Sequence, residues 1–106
     1  MNDVDDPGAL AAADPHDALG IVERTPEQWR EAITRARSCT GLPTRHGISS
    51  IVYCGMGGSG IAGDVLAAVS SGSGTVPVQV VKGYKVPAWT GPNTLVFCAS
   101  YSGNTE

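Results

Sequence analysis

At 106 residues with a net charge of −3, 42% hydrophobic, 16% charged and 6% aromatic residues, the chain has the composition of one small globular domain at most. The acidic balance gives no electrostatic case for nucleic acid or an anionic membrane as partner, and no apolar run approaches the roughly 18 residues that a bilayer span needs. Residues 1–20 have no basic segment ahead of an apolar one, so they do not read as a signal peptide and the expected location is cytoplasmic. Three cysteines, Cys39, Cys54 and Cys98, are too widely spaced for a disulfide framework or a C-x-x-C zinc pattern.

In chain order, residues 1–20 are rich in Asp, Ala, Gly and Pro without helical or alternating period. They are expected to form a mobile acidic tail with at most one short helical turn. Thr25 then resembles a helix cap, with Pro26 at the first helical position and Gln28 completing a capping box. Trp29, Ala32, Ile33 and Ala36 fall at i, i+3, i+4 and i+7, the stripe of an amphipathic helix that Gly41 and Pro43 end. Arg24, Arg30, Arg35, Arg37 and Arg45 alternate with Glu23, Glu27 and Glu31, which reads as a solvated face and not an anion site. Ile51 to Cys54 reads as a strand, Gly55 to Gly60 as a glycine turn, and Ile61, Val65, Leu66 and Val69 as a helix dissolving in the Ser/Gly run 70–74. Val76 to Val81 is a second, β-branched strand. Residues 83–89 are a connection, because Pro87 and Pro92 forbid a regular element, and Thr94 to Ala99 is a third strand.

Strands separated by helices or long connections imply right-handed crossovers and an α/β fold with a parallel, doubly wound sheet. Eight of the ten acids precede residue 50, and the nearly uncharged second half suits a buried parallel sheet. Three strands do not complete such a sheet, and Ser102 resembles the cap of a helix that does not follow. The expectation is therefore the front portion of a longer protein, unstable alone because the edge of its third strand is open.

The glycine turn admits three readings. Four glycines in the six residues 55–60 allow backbone angles closed to other residues and leave no Cβ to obstruct a ligand. The following helix aims its free N–H groups and dipole at the turn, a seat for an anion. Gly55, Gly57 and Gly60 satisfy G-x-G-x-x-G, the dinucleotide fingerprint, but the acid expected about 20 residues on is replaced by Val80-Val81-Lys82-Gly83. Lys82 there would at best serve a 2′-phosphate. A P-loop fails because Gly58-Ser59-Gly60 offers no lysine. The third reading takes Gly57-Gly58-Ser59 together with Ser100 to Thr105. Both follow strands, and ligands of open α/β sheets bind beyond the strands' carboxyl ends. Hydroxyls and backbone N–H groups at both would hold a small phosphate monoester without a cation.

Ser100-Tyr101-Ser102-Gly103-Asn104-Thr105-Glu106 resembles the phosphosugar-binding signature of the sugar isomerase (SIS) domain. Gly55-Met56-Gly57-Gly58-Ser59-Gly60-Ile61-Ala62-Gly63-Asp64 is similar to the first motif of bifunctional phosphoglucose/phosphomannose isomerases. The connection Gly83 to Trp89 and the helix start Thr25 to Trp29 fit the same family, so the resemblance covers residues 21–106, the front part of a SIS domain. It implies a flavodoxin-like, five-stranded parallel subdomain flanked by helices and present twice in the full-length chain, which is expected to form a homodimer. It also implies interconversion of glucose 6-phosphate and mannose 6-phosphate with fructose 6-phosphate through a cis-enediolate. By position, the backbone of Gly57 and Gly58 and the hydroxyls of Ser59, Ser100, Ser102 and Thr105 would hold the substrate phosphate. The family's catalytic glutamate, histidine and lysine motifs match nothing in residues 1–106, so no catalytic residue, metal ligand or cofactor is assigned and the chain alone is not expected to turn over substrate. The alternative is a non-catalytic, sugar-phosphate-sensing SIS module, against which the acidic N-terminus speaks, since such regulators carry a basic DNA-binding segment there. A zinc-using phosphoheptose isomerase is disfavoured because no histidine or acid cluster accompanies the turn.

The remaining residues have plainer readings. Asp64 complements the helix dipole or bonds the backbone, and Glu106 is a first-turn acid. His16 and His46 are solvated, Tyr101 packs under its loop, Trp29 and Trp89 are packing residues, and Cys54 and Cys98 are small core hydrophobes.

Overall fold

The computed structural model describes residues 5–74 and 76–105, so Glu106 and the first residues of the expected tail lie outside the described residues. The chain divides between Pro43 and Thr44 into two compact units. Among the described residues no helix is long and apolar enough to cross a membrane.

In the first unit, regular structure starts earlier than the expected tail allows. Helix α1 covers Pro7–Ala13 and helix α2 covers Ala18–Glu23. Each is capped at its start by an aspartate carboxylate. The Asp6 carboxylate accepts from the Gly8 N–H at 2.9 Å ahead of Pro7. Asp14 accepts from the N–H groups of Ala18 and Leu19, both at 2.8 Å. These two caps satisfy donors that a short helix otherwise leaves to water.

Helix α3, Thr25–Arg37, begins directly after α2 with Arg24 as its cap. The cap expected at Thr25 is therefore displaced: Thr25 is already helical, and the Arg24 carbonyl accepts the Gln28 N–H at 3.0 Å. Gln28 closes no capping box; its side-chain amide donates to the Ile21 carbonyl at 3.4 Å. With only Arg24 between the helices there is no extended residue from which a threonine hydroxyl can reach back. The apolar stripe is present, yet no residue of α3 is buried, and Trp29 and Ile33 keep about half their surface. Its charged face is solvated as expected, with an exposed Glu31–Arg35 pair at 3.8 Å.

The second unit carries strand β1 (Ser50–Gly55), helix α4 (Gly58–Ser73), strand β2 (Val78–Val81) and strand β3 (Thr94–Ala99). The strands form a parallel sheet in the order β2-β1-β3. The chain leaves β1 to one side through α4 and returns past it to the other, the doubly wound, flavodoxin-like order. Two limits differ from the reading of the residues. Helix α4 runs through the serine-rich stretch, because the Ser71 and Ser73 hydroxyls donate to the carbonyls of Ala68 and Val69 and do not compete for the backbone elsewhere. Strand β2 starts two residues late, after Pro77, whose carbonyl accepts the Ile51 N–H at 2.9 Å.

Tyr53 lies in register with Val80 on one side and Phe97 on the other, and alternation puts all three on one face. Helix α4 covers that face at its closest through Gly63, where an added Cβ would lie 2.5 Å from Tyr53 Cδ1 and 3.0 Å from Val80 Cγ1. On the opposite face Val52, in the central strand between Gln79 and Val96, is fully buried. Ser50 and Thr94 share a hydroxyl hydrogen bond of 3.0 Å where β1 and β3 begin.

Two outcomes follow. Gly63→Ala should push α4 off the sheet and lower unfolding stability by about 1–3 kcal/mol, the usual cost of overpacking a contact, read by urea denaturation; an unchanged midpoint would show that Tyr53 yields freely. The Leu19 and Ala18 N–H groups hold the Asp14 carboxyl below the usual carboxylate range. Its support of α2 is therefore complete above that range and lost as pH falls through the depressed folded value. Amide exchange at Ala18 and Leu19, corrected for intrinsic rate, should accelerate only in strong acid.

Candidate functional site

Strands β1 and β3 are neighbours, so the loops at their carboxyl ends lie side by side, at the place where ligands of open α/β sheets bind. The first loop turns on Gly57, whose φ of 53° is one that residues with side chains rarely adopt. The N–H groups of Ser59 and Gly60 then bond the carbonyls of Met56 and Gly57, both at 3.0 Å. Strand end and helix start touch backbone to backbone: a Cβ on Gly55 would lie 2.8 Å from the Ser59 carbonyl oxygen, and one on Gly60 2.8 Å from that of Gly55.

Lys82 stretches across Gly60, with its Cγ and Cε each 3.0 Å from where a Cβ would be. Its ammonium is paired with the Asp64 carboxylate. Asp64 is thus neither a dipole complement alone nor a backbone acceptor; it is the anchor of Lys82. That pairing commits the one cation considered for a nucleotide phosphate to a link between α4 and the end of β2.

The second loop holds itself together through its hydroxyls. Ser100 Oγ accepts the Gly103 N–H at 3.0 Å and shares a 2.8 Å hydrogen bond with Thr105 Oγ1. Ser102 Oγ accepts the Asn104 N–H at 3.2 Å, and Gly103 takes a φ of 73°. The two loops are joined where the Tyr101 N–H donates to Ser59 Oγ at 3.2 Å. Tyr101 therefore contributes its backbone; its ring is fully exposed and does not pack under the loop.

Ser59, Ser100, Ser102, Thr105 and Gly58 line one open cleft of about 810 Å³. Gly57 stands at the cap of α4 beside it. The cleft presents hydroxyls and a helix start, and its described lining includes no carboxylate, imidazole or amine. Among the described residues no group of three or more His, Cys, Asp or Glu side chains is placed to hold a metal ion. Because Ser59 and Ser102 accept from backbone N–H groups, each hydroxyl proton is left to donate to something in the cleft.

The reading of the residues missed the two thiols. Cys54 and Cys98 are register partners on β1 and β3. Cys98 is exposed and lines both the main cleft and a smaller one of about 330 Å³ shared with Cys54, Ser100 and Thr105. Burial first, and then the neighbouring Cys98 with its hydrogen bond, push the Cys54 thiol up from the ordinary range. They are not core hydrophobes of equal standing, and only the strand order could have paired them.

The chain is 51% identical over 57 residues to the bifunctional phosphoglucose/phosphomannose isomerase of Aquifex aeolicus, covering 53% of this chain and 18% of that protein. It is 35% identical over 85 residues to the protein of the same name from Caldicellulosiruptor bescii, covering 80% of this chain and 25% of that one. With that of Thermoplasma acidophilum it shares 47% identity over 58 residues, 55% of this chain and 18% of that protein. The matched part thus spans a quarter or less of the length of these curated relatives. No family model matches the chain, and no solved structure matches it.

The link between the loops is open to a direct check. Ser59→Ala should accelerate amide exchange at Tyr101 by removing its acceptor, whereas Ser102→Ala should leave that amide unchanged. Equal protection of Tyr101 in both variants would mean that the loops are held by something other than the Ser59 hydroxyl.

Proposed function

Over the matched residues the chain belongs to the bifunctional phosphoglucose/phosphomannose isomerase family, and on that premise we propose that residues 21–106 form the phosphosugar-binding part of a SIS domain. The ligand is a hexose 6-phosphate. Its phosphate dianion sits between the two loops, receiving hydrogen bonds from the hydroxyls of Ser59, Ser100, Ser102 and Thr105 and lying against the backbone of Gly57 and Gly58. The observation that carries this reading is the Ser59–Tyr101 hydrogen bond, which draws the two hydroxyl-bearing loops onto one cleft at a parallel sheet's carboxyl edge.

The start of α4, a helix of 16 residues, adds the positive end of its dipole. No lysine is required: Lys82 is held by Asp64. To take up the ligand, the Ser100–Thr105 hydrogen bond opens so that both hydroxyls donate to phosphate oxygens. Gripping the phosphate fixes the sugar while leaving carbons one and two free. The reaction served is ring opening followed by a proton shift between those carbons through a cis-enediolate, linking glucose 6-phosphate and mannose 6-phosphate with fructose 6-phosphate. That shift calls on an acid–base group outside the described lining of the cleft. The whole enzyme would work as a cytoplasmic homodimer.

The same lining, rich in hydroxyl donors and without a carboxylate, imidazole or amine among its described residues, favours one second reading, a sugar-phosphate-sensing module that binds and does not catalyse. The two are separated by incubating the full-length protein, which would supply that acid–base group, with fructose 6-phosphate in D₂O. The isomerase reading expects deuterium on the sugar at the exchanging carbon, the sensing reading binding without it.

Binding itself is tested by calorimetric titration with fructose 6-phosphate. Ser59→Ala and Ser102→Ala should each weaken affinity by the roughly 1.5–3 kcal/mol of a hydrogen bond to a charged group, about 10- to 100-fold. Ser71→Ala, on the far end of α4, should not. Unchanged affinity in the first two variants would remove the phosphate from this cleft.

A further inference from the structure

Cys54 and Cys98 are the last cysteines before the two loops, one residue ahead of Gly55 and two ahead of Ser100. They sit opposite each other on adjacent parallel strands. Neighbouring strands lie about 4.8 Å apart, inside the roughly 4.4–6.8 Å Cα separation that a disulfide spans. Residues in register point to the same face, so the two Cβ atoms stand side by side and not apart. Burial first, and then the neighbouring Cys98, push the Cys54 thiol up from its ordinary range. One of them, Cys98, is exposed and lines both clefts.

We propose that Cys54 and Cys98 are a reversible dithiol–disulfide couple, oxidised by hydrogen peroxide at the exposed Cys98 and closed by Cys54. In the first step the Cys98 sulfur, as thiolate, attacks one peroxide oxygen. The O–O bond breaks, the departing hydroxide takes up a proton to become water, and Cys98 becomes a sulfenic acid. In the second step the Cys54 sulfur attacks the Cys98 sulfur, the S–O bond breaks, and the leaving hydroxide takes the Cys54 proton as a second water. Two thiols are oxidised to one disulfide and one peroxide is reduced to two waters, so atoms and electrons balance. Thiol–disulfide exchange with a dithiol reductant reverses it. The roles follow from the surroundings: Cys98 meets the oxidant because it is exposed, while the half-buried Cys54 stays a thiol until a sulfur electrophile forms beside it. The couple stands on strand register and exposure and does not depend on the sugar-phosphate reading.

The third cysteine provides the control. In an unfolded chain, closing the 15-residue separation of Cys39 and Cys54 is favoured over the 44-residue separation of Cys54 and Cys98, by about fivefold from loop-closure entropy. The chain is treated with hydrogen peroxide in native buffer and in urea, its free thiols are then alkylated, and the linked peptides are mapped by mass spectrometry. The Cys54–Cys98 link should dominate in native buffer, disappear with dithiothreitol, and yield to the Cys39–Cys54 link in urea. The same distribution of links in both conditions would overturn the proposal. So would Cys98 oxidised to sulfinic acid with Cys54 still free. In a second measurement, Cys54→Ser should raise dimedone trapping of a Cys98 sulfenic acid at least severalfold over the unaltered chain, because the resolving thiol is gone. Equal trapping in the two proteins would likewise refute a resolving role for Cys54.

Discussion

The contact on which the second unit depends is the backbone-to-backbone approach of Gly55 and Gly60. A Cβ at either position would come within 2.8 Å of the other segment's carbonyl oxygen, a distance no side chain tolerates. Because neither residue has one, the end of β1 and the start of α4 close on each other directly. The helix then continues close to the sheet, with Gly63 against Tyr53 and Val80. Lys82 lies over Gly60 and is tied to Asp64. Strand end, helix start and the end of β2 are thus fixed by one steric allowance and one ion pair. Both members of that pair are about half exposed, so the pair directs geometry more than it adds stability.

From this corner the rest of the cleft follows. The parallel order β2-β1-β3 puts the loop after β3 next to the glycine turn, although the two are about forty residues apart in the chain. A single hydrogen bond from the Tyr101 backbone to Ser59 makes one cavity of two loops. The serines and threonine inside it are bound to one another and to backbone N–H groups. The second loop therefore takes its shape from hydrogen bonds within itself.

Much of this fold was legible residue by residue. Thr94–Ala99 forms the third strand with the expected limits, and Ser50–Gly55 the first within a residue at each end, because β-branched and apolar runs bounded by turn residues have few other solutions. Misreadings arose where local chemistry had two outcomes. Ser71 and Ser73 can break a helix or bond back to it, and here they bond back. Thr25 carries the signature of a cap, but α2 ends at Glu23 and leaves only Arg24 before it, so Arg24 takes the position. Asp6 and Asp14 look like members of an acidic tail until their carboxylates are seen on the first N–H groups of α1 and α2. Tyr101 was read as a packing ring, yet its backbone N–H is what the cleft uses.

The residue order alone determined which groups follow the strands: a glycine turn without a lysine, and hydroxyls at the ends of two strands. These are properties of short segments, set by the angles glycine permits and by what serine and threonine can donate. Only the tertiary structure decided that the two segments share a cleft, that Lys82 is committed to Asp64, and that Cys54 stands beside Cys98. Such pairings depend on which strand lies next to which, and that order is a consequence of how the whole sheet packs, invisible to any window of neighbouring residues.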